Sequence, residues 1–196
     1  SPNPKSSAAE NRKKKVTAAA RPGARASKTK KCPKKWEEDI SFLPILFLYH
    51  KQMNTVTKKK IQNEVISLLT SSGKKSLHIL SEDCCSEMSR LVGYRIMDSN
   101  PKTETIIIKG VLTNNKQHDI LIVKEGNLFS LIDPTVWQFY KNKKTIFLGT
   151  CKGIVEIFGF AKKFYGGMWS LSENLKRSDS KKEQKKCLSV IMKNLG

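Results

Sequence analysis

The stretch that decides the fold is residues 118–135, "HDILIVKEGNLFSLIDPT". Two apolar runs, "HDILIV" (118–123) and "LFSLID" (128–133), flank the polar "KEGN" (124–127). That pattern predicts an antiparallel hairpin with its turn around "KEGN" (124–127). Pro134 cannot donate to a sheet ladder, so the second strand is expected to end at Asp133. One of the three histidines in the chain opens the first strand, and an aspartate closes the second. The start of one strand and the end of the other are neighbours in an antiparallel pair. His118 and Asp133 are therefore expected side by side. If they share a face, the carboxylate can hold the imidazole in one tautomer.

Three further segments read as strands: "TETIIIKGVL" (103–112), "TIFLGT" (145–150) and "GIVEIFGF" (153–160), with polar turns at "TNNKQ" and "KNKK". Upstream the period is helical. Val56, Ile61, Val65, Leu68 and Leu69 recur at helical spacing in 55–72, which ends at Gly73. In 81–97, Met88, Leu91, Val92 and Ile96 line one face, acids crowd the first turns, and Ser81 or Asp83 is expected to cap the helix. Between them "KSLHIL" (75–80) reads as a short strand or a loop. Helices followed by an antiparallel sheet of about five strands make the class α+β.

The charge separates this body from its flanks. The 196 residues carry a net +20, with 37 Lys+Arg against 17 Asp+Glu. Residues 1–35 hold twelve of the bases and one acid, Glu10, so they supply +11. They contain no aromatic residue and a single Val, too little apolar area to offset ordering entropy. They are expected to form a disordered basic leader, with the folded domain covering 36–175. Residues 176–196 are expected to be a basic C-terminal tail that frays, with room for a short helix at "CLSVIMKNL". The longest apolar run, "FLPILFLY" (42–49), is too short to span a bilayer, so no transmembrane segment is expected. Position 1 is Ser and no secretory signal pattern follows. The chain is expected to be a piece of a larger polypeptide, either released from it or cut from it by design.

The five cysteines (Cys32, Cys84, Cys85, Cys151, Cys187) form no disulfide framework and no zinc-ligand spacing, so no metal and no cofactor is expected. Reduced thiols suit work in a cytosol. A thiol becomes a nucleophile where a helix N-terminus and an imidazole favour the thiolate. Cys84 and Cys85 both stand at the start of the expected 81–97 helix, upstream of the His118–Asp133 hairpin.

The order Cys–His–Asp, with a helix-borne Cys and a His-strand/Asp-strand hairpin, resembles the papain-like and transglutaminase-like cysteine enzymes. Their nucleophile pattern, Cys-x-Glu/Asp-apolar-Ser/Ala-x-Leu, is similar to "CSEMSRL" from Cys85 to Leu91. Starting from Cys84 places the acid one position late, so Cys84 is the alternate nucleophile. "HDILIV…LIDPT" is similar to the His strand and Asp-Pro-Thr strand of transglutaminase-like domains. The short spacings also resemble the papain-like glutamine deamidase domains of bacterial toxins and effectors, of the Pasteurella mitogenic toxin C-terminal type. The likeness covers roughly residues 75–140. It lacks the oxyanion-hole Gln that papain-like enzymes place shortly before the nucleophile. His78 or Gln117 stands as a substitute donor, beside the backbone N–H groups of the helix start, and Trp137 is a candidate cleft wall.

The resemblance implies a cysteine hydrolase of protein amides, with Cys85 as nucleophile, His118 as base and Asp133 as its orienting carboxylate. Its nearest activity is deamidation of a glutamine in a host protein. The same triad serves a protease or a transglutaminase. Such a virulence effector implies a host target protein, a toxin carrier or secretion machinery, and secretion or translocation into a host cytosol. The alternative of another class is a nucleic-acid-binding protein whose basic leader and tail neutralise phosphate. Against it, the charge lies mainly in the flanks, and the expected sheet carries no aromatic platform for bases.

Overall fold

The computed structural model describes Met53, residues 55–71, Gly73 and residues 75–196. The leader, the expected start of the domain at Trp36, the "FLPILFLY" run and His50 lie outside the described residues. In chain order the elements are helix α1 (Thr55–Thr70), the single turn α2 (Leu77–Leu80), helix α3 (Cys85–Ser99) and strands β1 (Glu104–Val111), β2 (Gln117–Glu125) and β3 (Leu128–Ile132). After a 3-10 turn at Val136–Gln138 come β4 (Phe147–Cys151), α4 (Ile154–Tyr165), β5 (Met168–Asn174) and α5 (Ser180–Leu195). The fold is α+β, with five strands in the order β4-β3-β2-β1-β5 and every pairing antiparallel.

The hairpin forms with a tighter turn than expected, because Lys124 and Glu125 belong to β2. β2 and β3 pair from Leu121↔Ile132 to Glu125↔Leu128, and Gly126 takes φ 60° in the two-residue turn, a conformation that costs glycine little. The chain crosses from β1 to β2 through "TNNK", where Asn115 adopts φ 62°. Neighbouring side chains on β2 diverge, as the pleat requires. The Asp119 carboxylate meets Ser86 on α3, while the His118 ring packs at a tilt beside Tyr165 at the end of α4. α3 and α4 therefore cover opposite faces of the sheet. The expected stripe on α3 is buried, with Met88, Leu91, Val92 and Ile96 packing against Leu121 and Ile107 in a continuous core. Ile61, Val65 and Leu69 of α1 belong to the same core. Among the described residues no helix is long and apolar enough to cross a membrane.

Four local expectations are corrected. "GIVEIFGF" is the first half of α4, not a strand. Ile154, Ile157, Phe158 and Ala161 recur at helical spacing and turn toward the sheet, and Glu156 in the first turn accepts the Lys152 N–H. The run of β-branched and aromatic residues masked that period, and the fifth strand is instead "MWSLSEN" (168–174). The C-terminal segment is no frayed tail: α5 is a sixteen-residue helix packed on α3. Its Ser180, Cys187, Ile191 and Leu195 are buried while its lysines face outward, so composition concealed a one-sided apolar stripe. "KSLHIL" contributes a helical turn rather than a strand or a loop. Finally, neither Ser81 nor Asp83 caps α3. Cys84 holds the cap position without a side-chain bond, Asp83 sits at φ 56° in the preceding turn, and Ser81 donates to the His78 carbonyl.

Candidate active site

His118 lies at the second position of β2, wholly buried. Extending the β2–β3 register places Asp133 opposite Ile120, so His118 and Asp133 are diagonal neighbours on one face rather than directly opposed. The diagonal suffices: His118 Nε2 stands 2.9 Å from Asp133 Oδ2. Asp133 owes its own position to the "DPT" turn. Its N–H donates to the Ile146 carbonyl, and its Oδ1 accepts from the Thr135 N–H at 2.9 Å and the Thr135 hydroxyl at 3.1 Å. A fourth donor arrives from α4, where the Tyr165 hydroxyl gives a 2.5 Å bond to Oδ2. The buried carboxylate thus accepts four hydrogen bonds, which is what keeps a charge tolerable in an interior.

The pair is polarised accordingly. Burial works to raise the Asp133 pKa, but the charge and bond of His118, with Tyr165 and Thr135, outweigh it and hold the carboxyl below its ordinary range. Burial works to lower the His118 pKa, but the adjacent Asp133 charge dominates and pushes it up to about 10. The ring is therefore an imidazolium at neutral pH. Burial, then the Asp133 charge, drive the Tyr165 hydroxyl well above its usual range, so it stays a donor.

Cys85 is the first residue of α3 and is partly exposed. Its thiol interacts with the His118 ring and, after Asp133, is the group that favours the protonated imidazole. Among the described residues, buried His118 Nδ1 has no hydrogen-bond partner besides this thiol. With Nε2 occupied by Asp133, Nδ1 is the nitrogen open to the thiol. The first internal bond of α3 runs from Met88 N–H to the Cys84 carbonyl, leaving the N–H groups of Cys85, Ser86 and Glu87 without intrahelical acceptors. They are backbone donors that could meet an anion beside Cys85. Cys84, the alternate nucleophile, is wholly buried in the core, and its thiol is pushed up chiefly by that burial.

The remaining sequence candidates lie elsewhere. His78 Nδ1 donates to the Trp137 carbonyl at 2.9 Å, and its Nε2 stands 3.9 Å from Glu82. Trp137 is a core residue, 3% exposed, whose indole N–H donates to the Lys143 carbonyl. The Gln138 amide also donates to the Ser81 carbonyl. His78 and Gln138 thereby fasten the loop before Cys85 to the turn after Asp133, which is a structural clamp rather than an oxyanion donor or a cleft wall. Gln117 is exposed, and strand alternation sends its side chain to the face opposite His118.

Sequence reasoning missed the aromatic enclosure. Phe139, Tyr165 and Trp169 surround the His118 ring at centroid distances of 4.8, 5.3 and 6.3 Å. The segment "FYGGMW" (164–169) makes the turn that brings two of these rings together. Gly166 and Gly167 both take φ 71°, and a Cβ on Gly167 would stand 2.2 Å from the Val111 carbonyl oxygen. The turn is pinned to β1 so that Tyr165 and Trp169 both reach the imidazole. Gly110 completes the arrangement, because it pairs with His118 on one side and Trp169 on the other. A Cβ there would lie 2.7 Å from the indole ring. Gly110, inside an otherwise β-branched run, was the available signal of a close approach.

Two outcomes follow from this enclosure. Gly110→Ala is expected to cost about 1–3 kcal/mol by overpacking against Trp169, read as a lower midpoint in denaturant unfolding with an unchanged slope. Tyr165→Phe removes one of four donors from Asp133. It is expected to cost about 1–3 kcal/mol in the same measurement and to lower the His118 titration midpoint little, since the Asp133 charge persists.

Comparison of the chain with known protein families, curated proteins and solved structures finds no match.

Proposed function

We propose that this domain is a cysteine-dependent hydrolase of amides in proteins, built on a papain-like arrangement of Cys85, His118 and Asp133. The observation that carries the reading is the buried His118–Asp133 pair, whose one free ring nitrogen is left for a thiol at a helix N-terminus. His118, as the imidazolium, holds the proton of the Cys85 thiol, and the thiolate so formed adds to the amide carbonyl carbon. The oxyanion forms beside the unpaired N–H groups of α3. His118 then returns the proton to the leaving nitrogen, which departs as ammonia from a glutamine side chain or as an amine from a peptide bond. A thioester remains on Cys85. Water, losing a proton to His118, attacks it, and a carboxylate product leaves as the thiol is restored. Asp133 keeps Nε2–H oriented throughout.

Within this class we favour deamidation of a glutamine in a host protein by a translocated or secreted effector, because the sequence resemblance is nearest there. A host target, a toxin carrier and secretion machinery are the implied partners. Intact-mass spectrometry of candidate host proteins after exposure separates the activities. Deamidation adds about one dalton per site, while proteolysis yields fragments and amine transfer yields a larger increment. The expected result is the one-dalton gain, lost with Cys85→Ala. Unchanged mass across all candidates, with Cys85 unreactive toward iodoacetamide, contradicts the reading.

A further inference from the structure

We infer that Asp119 and Ser86 are positioning residues that set the spacing between Cys85 and His118. The inference deepens the Cys85–His118–Asp133 reading and rests on it. Ser86 follows Cys85 at the start of α3, and Asp119 follows His118 on β2. The Ser86 hydroxyl donates to Asp119 Oδ2 at 2.9 Å, and the Ser89 hydroxyl donates to the Asp119 backbone carbonyl at 3.0 Å. The helix that bears the thiol is thus bonded, by side chain and by backbone, to the residue beside the base. Asp119 is 3% exposed, which a lone carboxylate on a strand avoids unless it is paired. Arg90, one turn along α3, supplies the pairing. Its Nη1 is 3.5 Å from Asp119 Oδ2 and also donates to the Ser86 carbonyl and hydroxyl, while its Nε donates to Glu173 on β5 at 2.9 Å.

The geometry matters because few polar contacts fix the entry of α3 among the described residues, the other being the Asn194 amide of α5, which donates to the Asp83 carbonyl at 3.3 Å. Its cap position makes no side-chain capping bond, and Asp83 just before it sits in a left-handed turn. The clamp by His78 and Gln138 acts on residues 78–81, upstream of that turn. The Asp119–Ser86 bond is the contact that ties the helix start itself to β2. A misplacement of about 1 Å between reacting groups costs on the order of a hundredfold, so a tether one residue from each partner has direct leverage on the thiol–imidazole contact.

The test uses iodoacetamide as probe, with the rate at Cys85 followed by peptide mass in the whole chain. Ser86→Ala is expected to slow Cys85 alkylation about tenfold at neutral pH, and Ser86→Thr, which keeps the hydroxyl, to stay within about twofold of wild type. Combination with His118→Asn reads the coupling. His118→Asn slows the wild type, but adds nothing further in the Ser86→Ala background if the tether is what brings the two groups together. Equal slowing in both backgrounds, or a wild-type rate for both Ser86→Ala and Asp119→Asn, overturns the inference. Should His118→Asn not fold, the contrast between Ser86→Ala and Ser86→Thr still decides. A wild type whose Cys85 is indifferent to His118→Asn refutes the triad itself, whereas a normal triad with an indifferent Ser86 refutes the tether alone.

Discussion

Replacing Cys85 with alanine is expected to reduce amide hydrolysis by at least about a thousandfold while leaving the fold intact, because only the attacking atom is removed. Cys85 is partly exposed at the first position of α3, so its loss leaves no enclosed cavity and the melting temperature should move by no more than a few degrees. The neighbouring Cys84→Ala is expected to behave in the opposite way. That side chain is wholly buried in the core, so truncation costs about 1–2 kcal/mol of stability while activity is retained. Turnover and thermal unfolding of the two variants, measured together, distinguish nucleophile from core thiol. An active Cys85→Ala with an inactive Cys84→Ala would transfer the role by one residue, against the burial of Cys84.

Asp133→Asn has the second large effect, on both stability and activity. Breaking a buried ion pair strands the other charge and is expected to cost about 3–5 kcal/mol. The neutral amide also loses the charge that holds the His118 tautomer, so turnover should fall by about a hundredfold or more. The pH dependence carries the sign of the two shifts. The Asp133 carboxyl is depressed, so its contribution to stability is present above its ordinary pKa of 3.8 and fades as pH falls below that. The imidazole is elevated from 6.5 to about 10, so its contribution is complete below about 6.5 and fades as pH rises toward 10. The stability gap between wild type and Asp133→Asn is thus expected to be widest between about pH 4 and 6.5 and to narrow on either side. Denaturant midpoints across that range check it, and a gap that widens from pH 7 to 10 would reverse the assignment of charge to the pair.

Much of this site was legible in one hairpin because three local rules converge there. Alternation announced two strands, the turn fixed which ends meet, and Pro134 ended the strand where the carboxylate was needed, while the shared face of His118 and Asp133 came from the register. The helical spacing of Met88, Leu91, Val92 and Ile96 likewise announced α3 and put Cys85 at its start. What stayed hidden depends on contacts distant in sequence. Tyr165 and Trp169 reach His118 only because "GIVEIFGFAKKFY" is a helix whose end turns back through Gly166 and Gly167, and its β-branched content disguised that period. The role of Ser86 required knowing that α3 lies across β2, as did the pairing of Arg90 with both Asp119 and Glu173. α5 was obscured by its lysines, since net charge says nothing about whether Cys187, Ile191 and Leu195 share a stripe.

The most direct test of the Cys85–His118–Asp133 unit is an ¹⁵N NMR titration of the His118 ring in the wild type and in Cys85→Ala. The expected wild-type ring is doubly protonated at neutral pH with a midpoint near 10, set by Asp133 at Nε2. Because Cys85 supports the same proton, its removal should lower the midpoint and displace the Nδ1 resonance. A midpoint near 6.5, with both nitrogens indifferent to Cys85, would contradict the triad.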